Sequence, residues 1–178
     1  NLKIVDGLSA KQIAKRYGHK LFDTLNEAFS HLFGYVPLNK KQMQFYIDMY
    51  FPFLDKRLLC LIVDENDEIA AFGVSMPSLT EALRKSKGKL FPFGWIHILR
   101  ALKNFENIDL YLNGVKPEWQ NKGVHSIYYS EMNNQYIKLG VKMAIANPQL
   151  ETNQAANIWE KYDSRIAIRR RAYIKTIE

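Results

Sequence analysis

The chain has 178 residues, of which 47% are hydrophobic and 24% charged, and a formal net charge of +7; this is the size and balance of one globular domain with a substantial core. No apolar run reaches membrane-spanning length, no signal-peptide pattern opens the chain, and its one cysteine, Cys60, excludes an internal disulfide, so the expected compartment is the cytoplasm, with no membrane partner. The cations are spread over Lys11 to Arg16, Lys40-Lys41, Arg84 to Lys89 and Arg165 to Lys175, which reads as a solvated basic surface or a rim for phosphates, with nucleic acid not the expected partner.

Leu2 to Val5 reads as a short first strand. Ser9 is a good N-cap, and Ile13, Tyr17, Leu21, Leu25, Ala28 and Leu32 make an apolar stripe at helical spacing, ended by Gly34 and Pro37. Asn39 caps a second helix with Met43, Tyr46, Ile47 and Tyr50 on one face, stopped by Pro52. Arg57 to Val63 and Glu68 to Met76 read as strands joined by Asp64-Glu65-Asn66-Asp67, an acidic hairpin turn. Cys60 sits in the first of these runs as a small core residue.

Residues 77 to 107 are longer than an ordinary connection. They hold a predicted helix over Ser78 to Lys85, a Lys/Gly stretch, and a second helix starting at Phe91-Pro92-Phe93-Gly94-Trp95. No repeat, linker or low-complexity tract appears, so one domain is expected over 1–178.

An apolar strand, Ile108 to Val115, then runs through a turn broken by Pro117 and a loop containing Gly123 into a helix predicted over 126–139. A strand from Val141 to Ala146 and a helix from about Thr152 follow. Such a strand–loop–helix aims backbone N–H groups and the positive end of a helix at one point, which suits a phosphate. Gly114 fits either a bulge or a plain strand terminus. Strand alternation puts Asp109, Tyr111 and Asn113 on one face. His19, His31, His97 and His125 are isolated, and no metal-spaced cluster or Ser-His-Asp set is evident.

Pro117-x-x-Gln120-x-x-Gly123-x after a strand resembles the acyl-CoA pyrophosphate loop of the GNAT superfamily of N-acyltransferases, and the resemblance extends thinly over the whole chain. It implies an α/β (α+β) fold: a mixed, mostly antiparallel sheet with the fourth and fifth strands splayed, flanking helices, and residues 77–107 inserted between the third and fourth strands. It further implies acetyl-CoA or another acyl-CoA as co-substrate, no metal, and transfer of the acyl group by direct attack of an amine, carried by a small molecule or a peptide. On this resemblance the backbone of Asn113, Gly114 and Val115 pairs with the pantetheine arm. Gln120, Asn121, Lys122, Gly123, Val124, His125 and Ser126 hold the pyrophosphate, and Asn153 bonds the arm.

His125 departs from the Gly or Ala usual at that loop position. The family's acid, a Tyr seven residues after the Asn, falls here on Glu160, next to Trp159; Tyr162 or Tyr128 would have to substitute, and Tyr162 is taken as the catalytic acid. Asp109, Tyr111 and Glu151 are the candidate bases, Glu151 first. Phe91, Phe93, Trp95 and Ile98 either line the acceptor pocket or its lid, or merely pack the insertion; Phe93, Trp95 and Tyr111 are the substrate-binding candidates. Arg165 to Lys175 reads as the last strand. The C-terminal stretch looks like the GNAT-like module that ends larger uncharacterised bacterial proteins, so a preceding domain is expected to be missing. The alternative is a GNAT-shaped module without transfer activity, either a CoA sensor or a protein or nucleic-acid interaction unit.

Overall fold

Two capping boxes start the N-terminal helices. In the computed structural model, which describes residues 1–173 and 175, the Ser9 N–H donates to the Gln12 side chain at 2.8 Å while the Ser9 hydroxyl accepts from the Gln12 N–H, opening α1 (Ala10–Phe29). Asn39 and Gln42 repeat the device for α2 (Lys40–Tyr50). Each box satisfies N–H groups that a helix start otherwise leaves without partners. Ile13, Tyr17, Leu21, Leu25 and Ala28 are buried, as their spacing predicts. Leu32 lies beyond the end of α1 and is only half-buried.

The sheet contains β1 (Lys3–Ile4), β2 (Leu59–Val63), β3 (Ile69–Pro77), β4 (Asn107–Val115) and β5 (Met143–Ala146), in that spatial order. The first four are antiparallel neighbours, and β5 runs parallel to β4. Both faces of β2 and β3 are covered, whereas all four residues of β5 are exposed. On one side Leu61, Val63 and Phe72 pack with α1 and α2; on the other Cys60, Ile62, Ala70 and Ala71 pack with Val124, Tyr128 and Met132 of α5 (Val124–Lys138). The hairpin of β2 and β3 turns at Asp64–Asp67, with Asp64 Oδ1 accepting from the N–H groups of Asn66 and Glu68. Asp67 accepts from the Tyr17 hydroxyl at 2.6 Å and from Arg16 Nη2 at 2.8 Å, which fastens this turn to α1.

Between β3 and β4 lie α3 (Thr80–Lys85) and α4 (Gly94–Lys103). The chain divides into two compact units, 1–145 and 146–178. In the second, the helix expected from Thr152 is a 3-10 helix, Gln154–Lys161. The strand expected over Arg165 to Lys175 is absent among the described residues. Its apolar side chains Ile166 and Ile168 are each 72% exposed, so no burial favours an extended pairing there. Ile174 of that stretch lies outside the described residues.

Candidate functional site

The register of β3 against β4 locates an irregularity that shapes the site. Pro77 faces Ile108, Met76 faces Asp109 and Ser75 faces Leu110, but Val74 faces Leu112, so Tyr111 is an extra residue on β4. The bulge is therefore at Tyr111 and not at Gly114, which pairs regularly with Phe72. Gly114 is required for a different reason: a Cβ there would lie 2.8 Å from Phe72 Cε1 and 3.4 Å from Ala28 Cβ.

The bulge also corrects the expected alternation. Ser75 shares a 2.6 Å hydrogen bond with the Tyr136 hydroxyl of α5, so its cross-strand partner Leu110 faces α5, and Asp109, opposite Met76, faces α1 and α2. Asn113, opposite Gly73, faces α5, because a Cβ at Gly73 would point at Met132 and Tyr128. One unpaired residue puts Asp109 and Asn113 on opposite faces. Tyr111 stays with Asp109: burial raises the pKa of its hydroxyl, and the neighbouring Asp109 and Tyr50 raise it further. Tyr50, expected on the apolar face of the second helix, is instead 43% exposed at the end of α2 and is a neighbour of Tyr111.

Next to the bulge, and past the end of β5, no strand among the described residues pairs with the far side of β4, which leaves an open strand edge there. The Lys116 N–H donates to Ala70 O at 2.9 Å, toward β3. Backbone groups alternate direction along a strand, so those of Asn113 and Val115 point away from β3. On that side β5 begins level with Glu106, whose carbonyl accepts from the N–H groups of Lys142 and Met143, and after four residues it ends short of Asn113. The Val115 carbonyl is taken by Gln120 Nε2 at 3.0 Å, an amide that folds back from the loop.

That loop makes a 3-10 turn at Pro117–Trp119, then passes through left-handed conformations at Asn121 (φ 58°) and Gly123 (φ 76°) into α5. Asn tolerates this region and Gly adopts it without strain. Among the described residues no side chain caps the start of α5; the Ser126 N–H donates to Gly123 O at 3.0 Å, and the N–H groups of Val124 and His125 open the helix with the positive end of its dipole behind them. Val124 is buried and anchors the turn, whereas His125 is exposed and lies outside the core. Lys122 Nζ sits 5.2 Å from the centre of the Trp119 ring, which holds a cation beside the loop. Lys116, with Glu118 at 3.4 Å and Glu27 at 4.0 Å, supplies another. Neither Trp119 nor Lys116 is one of the positions that the Pro-x-x-Gln-x-x-Gly spacing marks.

Asn113 to Val115 and Gln120 to Ser126 thus lie together in the first unit. Glu151, Asn153 and Tyr162 belong to the second. There Glu151 is exposed, with its carboxylate 3.9 Å from Arg169 Nη1. The Asn153 N–H donates to Leu150 O at 3.0 Å, the Tyr162 ring lies 6.2 Å from that of Trp159, and Trp159 Nε1 donates to Gln149 at 2.9 Å. Tyr128 does not qualify as an acid. It is 3% exposed against β3, and burial pushes its pKa far above the ordinary tyrosine range. Phe93 and Trp95 are 68% and 46% exposed. They do not line the cavity of about 590 Å³ between the insertion and the starts of β4 and β5, whose walls include Glu81, His97, Arg100, Glu106, Met143 and Ile145. Among the described residues no group of three or more His, Cys, Asp or Glu is placed to hold a metal, and no helix is long and apolar enough to cross a membrane.

This architecture, with a parallel β4–β5 pair at the end of an antiparallel sheet and a loop leading from β4 into α5, is the GNAT N-acyltransferase fold. Among solved structures, the ribosomal-protein-S18-alanine N-acetyltransferase of Escherichia coli superposes with a TM-score of 0.60 at 15% identity, covering 99% of this chain and 86% of that one. The acetyltransferase AAC(6')-Iy, in complex with a bisubstrate analogue of CoA and acetylneamine, superposes with a TM-score of 0.56 at 9% identity, covering 99% of both chains. By sequence the chain is similar to the bacterial ceramide synthase of Caulobacter vibrioides (strain NA1000 / CB15N), 31% identical over 102 residues, 56% of this chain and 26% of that protein. The match thus spans about a quarter of the length of the curated relatives. No protein-family model matches the chain.

Proposed function

We propose that this chain is an acyl-CoA-dependent N-acyltransferase. The observation that carries the reading is the open backbone edge at Asn113–Val115, continuous with the uncapped start of α5. The outward N–H and C=O of Asn113 and the outward N–H of Val115, whose carbonyl Gln120 occupies, suit the amides of a pantetheine arm, and the loop from Gln120 to Ser126, with Lys122 beside it, suits a diphosphate. The co-crystallised CoA analogue of AAC(6')-Iy supports CoA as the carrier.

An amine on the α1/α2 side would attack the thioester carbonyl, forming the C–N bond as the C–S bond breaks. The nitrogen gives up a proton and the departing thiolate takes one. The Val115 N–H is the oxyanion donor in this reading. Asp109, beside Tyr111 at the bulge, is a stronger candidate base than Glu151, whose carboxylate is engaged by Arg169. Asn153 remains the proposed second contact to the arm and Tyr162 the proposed acid. A ceramide synthase, by its name, makes the amide of a long-chain amino alcohol, so long-chain amines are the first acceptors to try.

Thermal shift with acetyl-CoA, CoA and longer acyl-CoAs tests the reading. At a hundred times Kd, binding to the folded state adds about 2.7 kcal/mol, which raises Tm by ~5–10 °C. Gln120→Glu, which faces a carboxylate against the Val115 carbonyl, and Gly123→Trp, which strains a left-handed position, are expected to abolish the shift. No shift with any CoA would end the proposal. Trp159, bonded to Gln149 near where the family places its acid, favours a second reading as a CoA-binding sensor. A thermal shift without thiol release across an amine panel would select it.

A further inference from the structure

We propose that the end of the insertion formed by residues 83 to 103 docks onto anionic lipid bilayers. Leu83, Leu90, Phe91, Phe93, Trp95 and Leu99 are 44%, 53%, 81%, 68%, 46% and 48% exposed, all within one short stretch of chain. Single exposed apolar residues are ordinary, but a concentrated group marks a surface with a partner.

The group is built to project outward. Trp95 N–H donates to Leu90 O and Ile96 N–H to Phe93 O, so the Leu90–Phe93 turn is tied onto α4. Trp95 Nε1 donates to Pro92 O at 3.0 Å, which satisfies the indole's polar group internally. Leu99 follows Trp95 one helical turn later on the same stripe.

Charge identifies the occupant. Between residues 77 and 107 stand six cations, Arg84, Lys85, Lys87, Lys89, Arg100 and Lys103, and two carboxylates, Glu81 and Glu106, a balance of 6 − 2 = +4 within a chain of +7. Glu81 is itself engaged by Arg84 at 3.0 Å. Exposed rings with Lys87 and Lys89 next to them in sequence match a surface that offers hydrocarbon beneath a layer of negative headgroups, whereas Lys85 and Arg100 also line the cavity beside β4 and β5. This is a surface contact and needs no spanning helix, and it does not depend on the transferase reading. A bilayer bound at its surface would be a membrane partner that a search for spanning runs does not detect.

Co-sedimentation of the intact chain with vesicles tests it. We expect binding to vesicles of equal parts phosphatidylglycerol and phosphatidylcholine, weakening as salt is added, and little binding to phosphatidylcholine alone. Lys85→Gln, Lys87→Gln and Lys89→Gln are each expected to weaken binding about fivefold at low salt. Phe91→Ser with Phe93→Ser should abolish it with Tm unchanged, since both rings are exposed. A vesicle-induced blue shift in tryptophan emission should vanish in Trp95→Phe, although Trp119 and Trp159 remain. The proposal is overturned if anionic vesicles do not bind the chain, if the variants bind them as well as the wild type does, or if single-stranded oligonucleotides bind more tightly than vesicles through the same residues.

Discussion

At the scale of single residues, Asp67 shows how one carboxylate fixes a turn. The Tyr17 hydroxyl, then the Arg16 guanidinium, hold its pKa below the usual carboxylate range, with Lys20 contributing. A depressed carboxylate stabilises the fold above its unfolded value of about 3.9, and the contribution disappears as pH falls through the lower folded value. Asp67→Asn keeps a residue that tolerates the left-handed φ of 62° and removes the charge together with one of the two oxygens that accept from Arg16. It should cost about 1 kcal/mol near neutral pH, lowering Tm by ~2–4 °C, and the difference from the wild type should vanish in strong acid. Cys60 works at the other end of the scale. Burial, and then Glu131, push its thiol up to about 12. A raised thiol pKa stabilises fully below the unfolded value near 8.5, and that stability is lost as pH rises toward the folded value. Cys60→Ala should therefore flatten the fall in Tm between about pH 8.5 and 10, and an aromatic disulfide reagent should label the wild-type thiol only as the chain unfolds.

At the scale of elements, Gly114→Ala sets a Cβ against the ring of Phe72, which is fully buried, and against Ala28 of α1. Overpacking of this kind should cost ~1–3 kcal/mol in urea unfolding, without changing the slope. Much of the elements' identity could be read from local chemistry. Ser9 with Gln12 and Asn39 with Gln42 are capping boxes by spacing alone, and the Asp64–Asp67 turn carries its own hydrogen-bonding side chains. What could not be read belongs to pairs of strands. The bulge at Tyr111 exists only in the register of β4 against β3, and Gly114, the residue that suggested a bulge from sequence, is glycine because of a ring on another strand. The open edge at Val115 follows from β5 being short, and nothing within β4 encodes that length. The loop was recognisable because its Pro, Gln and Gly act locally. The bracing of Val115 by Gln120 was not, since a glutamine in a loop has many possible acceptors.

At the scale of the whole molecule, the two compact units differ in how much they bury. Unit 1–145 contains both apolar clusters, while from Met143 to Thr152 and from 160 to 173 every residue is exposed. Regions with little buried apolar surface open at low free energy. Brief trypsin treatment should therefore cut first at Arg165, Arg169, Arg170 or Arg171 and leave a fragment retaining residues 1–145, read by intact-mass spectrometry. Early cleavage between Arg84 and Lys103 would contradict this ordering.

Tyr111 gives the sheet an unusual kind of editability. Because the residue is surplus to the ladder, excising it would keep the two halves of β4 in phase: Asp109 would still look toward α2 and Asn113 toward α5. Only the kink would go. A Tyr111 deletion thus separates curvature from composition, a distinction no substitution at this position can make, and it should yield a folded chain with a straighter fourth strand. If CoA stabilises the parent and not this shortened chain, the bend itself admits the ligand; if both respond alike, the bend is incidental to binding.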